Sequence, residues 1–147
     1  MPIVGFNYAA VDVQRRRKTL KTAVLFGLAL MRLGALCFEC IPGPLLRAFT
    51  RQSQVIEIGR FGFRIIGVSF LPMVTSLIFP VFFQATGFGL KSAGLTLMRT
   101  LVLFVPLGYL FSRWGLHAFW LTFPVTETLT SLLGGGFYRA FRKHPYV

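Results

Sequence analysis

The chain has 147 residues, of which 54% are hydrophobic, only 14% charged and 17 phenylalanine. A soluble domain is nearer roughly 45–50% apolar with about a quarter charged, so a single water-soluble domain is excluded: the surplus apolar surface needs lipid as its solvent. Sixteen Lys+Arg stand against 4 Asp+Glu, yet the basic residues lie mainly at the edges of apolar runs, as membrane proteins place them, and not on the water-facing patch that nucleic-acid binding requires.

In chain order, a basic flank of Arg15, Arg16, Arg17, Lys18 and Lys21 introduces the first apolar segment, Leu20 to Ile41. The flank is no export signal, because further apolar spans follow it instead of a cleavage site and a soluble domain. Cys37 and Cys40 form a lone C-x-x-C, too few for a disulfide framework. A tetrahedral metal site needs two further ligands, and His117 and His144 lie in other segments. The cysteines therefore read as small polarizable residues of a membrane helix, and no metal is expected. Arg32 and Glu39 share a face about 10 Å apart along the axis. Glu39 is expected near the interface, and Arg32 is expected to find a partner on another helix. The stretch "PGPLLRAFTRQSQVIEIGR" carries helix breakers and charges and predicts a short surface helix.

The second segment runs from Phe61 to Ala85 and places Pro72, Ser76, Pro80 and Gln84 at strict fours, with Ser69 and Thr75 nearby. That spacing keeps them on one helical face, and each proline frees a carbonyl one turn earlier. Such a face bends and offers oxygens to an ion or substrate; equally, it serves as a kinked packing face whose hydroxyls satisfy the backbone. The segment ends in "QATGFGLKS", a tight turn in which Gly87 and Gly89 are free to take positive φ. The third segment, Ala93 to Phe111, holds Pro106, and Arg99 lies one turn inside it. Arg99 is expected to reach the headgroups or to donate to carbonyls freed in the second helix.

After the short link "SRWG", the fourth segment runs from Leu116 to Tyr138 with Thr122, Thr126 and Thr130 at fours and Pro124, Glu127 and Ser131 among them. Low dielectric disfavours an ionised carboxylate, so Glu127 is the candidate for exchanging a proton or binding a cation. A structural carboxylate bonded to a neighbouring helix is the competing reading. "LLGGGF" marks a close-packing site or a weak point, and Tyr109, Trp114, Trp120 and Tyr138 are expected at the membrane interfaces.

Each segment suits a hydrocarbon core of about 30 Å, which takes roughly 20 helical residues. Helix is the required form there, and links this short make successive helices antiparallel neighbours. The sequence thus predicts an all-α membrane protein of four antiparallel transmembrane helices. The basic flank, Lys91, Arg99, Arg139, Arg142 and Lys143 outweigh Arg47, Arg51, Arg60 and Arg113 on the other side, which places both termini in the cytoplasm. The G-x-x-x-x-G-K-[ST] spacing of a phosphate-binding loop is absent, and no cofactor is expected.

"PIVGFNYAA…RRRKTLKTA", "FFQATGFGLKSAGLTLMRTLVLFVPLGYLF" and "GLHAFWLTFPVTETLTSLL" together resemble the C-terminal part of bacterial MATE (multidrug and toxic compound extrusion) transporters. Gln84, Gly87, Ser92, Arg99, Pro106, Gly115, Trp120 and Pro124 fall where the family pattern has such residues, and Glu127 where it has an acidic one. The usual Asn-Tyr-Gly-Ala reads Asn7-Tyr8-Ala9-Ala10 here, and Arg32 and Glu39 are unusual. The resemblance implies the last four of twelve helices, part of the C-terminal lobe, in a truncated chain that lacks the remaining transporter helices. It implies Na+- or H+-coupled antiport of small organic cations across the bacterial plasma membrane by rocking of two lobes. Glu127 would then couple the ion, and Gln84, Ser76 and Thr130 would line the cavity. Pro72, Pro80, Gly87, Arg99, Pro106 and Pro124 would act in hinges and packing. A lipid-linked oligosaccharide flippase of the related superfamily is the alternative, to which Arg32 leans, and a non-transporting membrane subunit or inert remnant is another.

Overall fold

The computed structural model describes residues 2–9 and 13–143; His144 and Ala10, singled out above, lie outside these. Among the described residues every regular element is a helix. Helix α1 (Pro2–Ala9) precedes α2 (Val13–Cys40), so the basic flank is itself helical. Pro42 and Pro44 open α3 (Pro42–Arg47), the short helix expected here. A proline suits this position because the first helical N–H groups have no intrahelical acceptor to lose. Leu46 of α3 packs into a notch at Gly59, where a Cβ would stand 2.8 Å from its Cδ2.

The central element is α4 (Ser53–Ala85, 33 residues). At a 1.5 Å rise it is about 50 Å long, well beyond a hydrocarbon core of about 30 Å. It starts eight residues before the apolar segment does, at Ser53 and not Phe61. The added turns expose Glu57 and Arg60, side chains that headgroups and water can solvate, so the helix continues where the apolar pattern stops. Pro72 and Pro80 both lie inside it. Thr75 Oγ1 donates to the Pro72 carbonyl at 3.0 Å, a local backbone bond of the kind hydroxyls supply around helix breaks.

The α4–α5 turn is built as the glycines predict, with one difference. Gly87 takes φ 85°, whereas Gly89 begins α5 (Gly89–Leu97) and is not left-handed. Thr86 Oγ1 donates to the Phe82 and Phe83 carbonyls at 3.0 and 3.2 Å and closes the end of α4. From α5 the chain passes without a break through a π-helical stretch, Met98–Phe104, into α6 (Val105–Ser112). Pro106 stands in the first turn of α6. Its ring cannot donate and crowds the carbonyl four residues back, and the wider π turn relieves that crowding. Gly115, at φ 102°, turns the chain into α7 (Leu116–Phe119). A turn at Trp120 and Leu121 then separates α7 from α8 (Thr122–Lys143).

Among the described residues three helices are long and apolar enough to cross a membrane: Val13–Cys40, Ser53–Ala85 and the continuous Gly89–Ser112. Helix α8 is less apolar, since it carries Glu127 and ends in Arg139, Arg142 and Lys143. It packs along α4, which also packs against α2 and α5. Gly134 makes this contact possible: a Cβ there would meet Phe79 at 2.6 Å, so "LLGGGF" is a close-packing site. The core gathers Leu20, Phe82, Phe83, Leu95 and Phe141 at one end of the bundle. Away from it, α2 turns Leu25, Phe26, Leu30 and Leu33 outward, an apolar face suited to lipid or to another helix and not to water.

Candidate functional site

Three helices bring one polar cluster together. Glu127 sits one and a half turns into α8, on the face turned toward α4, and is buried. Arg99, the second residue of the π-helical stretch, donates from Nε and Nη2 to the same oxygen, Glu127 Oε1, at 2.9 and 2.6 Å. Ser76 of α4 donates to the other oxygen, Oε2. The Ser76 hydroxyl also reaches the Met73 carbonyl at 3.1 Å, so two acceptors compete for its single proton. One turn away, Thr75 and Ser131 share a hydrogen bond of 2.5 Å between α4 and α8. A buried carboxylate is tolerated only when its charge is matched and its oxygens are bonded, and both conditions hold here.

Two members of the cluster, Ser76 and Arg99, line a cleft between α4 and the α5–π-helical stretch, with Glu127 bonded behind them. The cleft is about 170 Å³, and Ser76, Pro80, Gln84, Ser92, Thr96 and Arg99 contribute to its wall. It continues into a wider groove that Gln84, Ser92 and Thr96 also border. Gln84 is exposed at the far end, beside the Gly87 turn. The pair is asymmetric in its access: the Arg99 side chain is 26% exposed and that of Glu127 only 6%.

The residues predicted for the site fall into two groups. Ser76, Pro80, Gln84 and Arg99 line the cleft, with Glu127 bonded behind Ser76 and Arg99. Thr130 does not line it: with Thr122 and Thr126 it is buried on the face of α8, and the hydroxyls of all three lack a bonding partner among the described residues. Pro124 stands in the first turn of α8, where a missing N–H costs nothing. Arg99 neither snorkels nor bonds to freed carbonyls, because the nearest acceptor proves to be a carboxylate on a third helix. Arg32 is exposed and bonded to no described residue, so the expected partner on another helix is not found. Glu39 is half-buried against Gly67.

Among the aromatics, Tyr109 and Trp114 are exposed as interfacial residues would be. Trp120 lies over Gly62, where a Cβ would approach its ring to 2.7 Å, and Tyr138 stacks on Phe79 and meets Phe82 edge-on. Both are therefore packing residues. One feature was missed from the sequence altogether. Arg16 is buried between the rings of Tyr8 and Phe141, its Cζ 5.2 Å from each centroid. Nothing in a run of basic residues distinguishes the one that will be covered by rings from distant segments.

Among the described residues, the helices hold one deeply buried carboxylate, Glu127, matched by an arginine beside a cleft. The MatE family model matches residues 1–110. The chain belongs to the MatE family, a family of transporters and not of enzymes. The matched region includes Ser76, Gln84 and Arg99 and ends before Glu127. No curated protein and no solved structure matches the chain.

Proposed function

We propose that the chain serves cation-coupled efflux, in which Na+ or H+ moves one way across the membrane and a small organic cation the other, with Glu127 as the coupling carboxylate. It would work together with further transporter helices, which would cover the outward apolar face of α2 and complete the second wall of a central cavity. Both termini would face the cytoplasm of a bacterial cell.

One observation carries this reading. Glu127 is a buried carboxylate, placed by α8 at the junction with α4 and the π-helical stretch, and bonded to Ser76 and Arg99, which line a cleft of mixed polar and apolar walls. Ionisable groups in membrane helices are costly, and their usual setting is an ion or proton path. The cleft supports the reading further, since Ser76, Gln84, Ser92 and Thr96 offer oxygens of the kind hard cations take.

The test is dye accumulation in inside-out membrane vesicles from cells expressing the protein, driven by an imposed Na+ or pH gradient. Glu127→Gln is expected to abolish gradient-driven uptake of a cationic dye, and Glu127→Asp to retain part of it. Unchanged uptake by Glu127→Gln across a pH series would rule out coupling at this residue. Uptake of anionic lipid-linked sugar in place of cationic dye would favour the flippase reading.

A further inference from the structure

We propose that Arg99 is a tethered competitor for the coupling cation: its guanidinium holds Glu127 between transport events and must swing into the Ser76–Gln84–Ser92–Thr96 cleft before a cation can bind. This rests on the reading that Glu127 couples transport.

Both oxygens of the carboxylate are engaged, and its charge is matched. Oε1 accepts both Arg99 donors, and Oε2 accepts Ser76. Arg99 and Ser76 are the side chains bonded to Glu127 among the described residues, and Arg99 is the only charged one. An arriving cation would meet a carboxylate already neutralised, and two positive charges cannot share it at low dielectric without large repulsion. One partner must therefore leave, and the geometry selects which. Glu127 has a short stem inside the α4–α8 contact, whereas Arg99 has a long stem and is already partly in the cleft.

The cleft gives the displaced guanidinium somewhere to go. Ser92, Thr96 and Arg99 follow one another at spacings of four and three, which places them along one helical face. Gln84 stands opposite on α4, and the cleft has room for several waters. Two further details favour a moving arginine. Arg99 lies within the π-helical stretch, a geometry that is rare and recurs at functional sites. Ser76 has a second acceptor in the Met73 carbonyl. When Arg99 leaves, the serine proton can turn to that carbonyl, and the serine oxygen then faces the cation as a ligand.

A competitor lowers the apparent affinity by the fraction of molecules in which it is bound. If the pair is closed in about 90–99% of molecules, its removal tightens cation binding by about 10–100-fold. The experiment uses purified protein in detergent and follows, by infrared difference spectroscopy, the carboxylate signal that vanishes in Glu127→Gln. Na+ is titrated at fixed pH, and acid at fixed Na+. Arg99→Gln is expected to shift the midpoint at least tenfold toward lower cation activity. Arg99→Lys, which keeps charge but loses the planar fork, is expected to shift it less and in the same direction; it provides the readout if Arg99→Gln does not fold.

A midpoint unmoved or weakened by both substitutions, with the signal still lost in Glu127→Gln, overturns the competitor and leaves coupling at Glu127 intact. A cation response that survives Glu127→Gln, or none in the unsubstituted protein, overturns the coupling reading itself.

Discussion

Two arginines in this molecule are drawn out of solvent, Arg16 wholly and Arg99 in part, and they are matched in opposite ways. Arg16 is 5% exposed and lies between the rings of Tyr8 and Phe141, with no carboxylate bonded to it among the described residues. Arg99 is more exposed, yet it is held to a nearly inaccessible carboxylate by two short hydrogen bonds. The faces of aromatic rings attract a cation weakly and do not change charge, so the Arg16 site acts as a fixed clasp between α1, α2 and α8. A carboxylate attracts strongly and can be neutralised by another cation, so the Arg99 site can exist in two states. Burial alone does not distinguish a structural charge from a working one; the partner does.

The sharpest way to break the comparison is to remove each arginine in turn and measure unfolding in detergent. Arg99→Met is expected to cost about 3–5 kcal/mol, because it strands a buried charge. The double substitution Arg99→Met with Glu127→Leu should recover most of that loss, since an apolar replacement of a whole buried pair is often neutral. Equal losses in the single and double variants would show that the pair is not electrostatically matched. Ser76→Ala comes next, at about 1.5–3 kcal/mol for a hydrogen bond to a charged group. Arg16→Met should be the mildest, at about 0.5–2 kcal/mol, because the apolar stem still packs between the rings. Arg16→Met should also leave the cation midpoint at Glu127 unchanged, and a shift there would mean that the clasp and the exchange site are coupled.

The same contrast explains what could be read from the sequence. Local features were legible: the Gly87 turn, the proline start of α3 and the long apolar helices all follow from residues within a few positions of one another. Glu127 and Ser76 were legible as polar groups that lipid penalises. Their meeting with Arg99 was not, because 28 residues separate Arg99 from Glu127 and 51 separate Ser76 from it. Only the packing of α8 along α4 decides that acceptor. The start of α4 was misplaced for the converse reason. Glu57 and Arg60 end the apolar pattern, yet a helix that leaves the bilayer keeps its backbone bonds in water. The π-helical stretch has no composition of its own; Pro106 was its one local sign, and a proline alone predicts a kink equally well.

The order of synthesis gives the α8 carboxylate another task. Arg99 leaves the ribosome 28 residues ahead of Glu127, so the nascent third span must enter the bilayer carrying an unmatched guanidinium, and an arginine deep in lipid is expensive. That guanidinium gains its countercharge only when α8 packs along α4 and brings Glu127 to it. Docking of α8 is therefore the step that lifts the charge penalty from the span made before it.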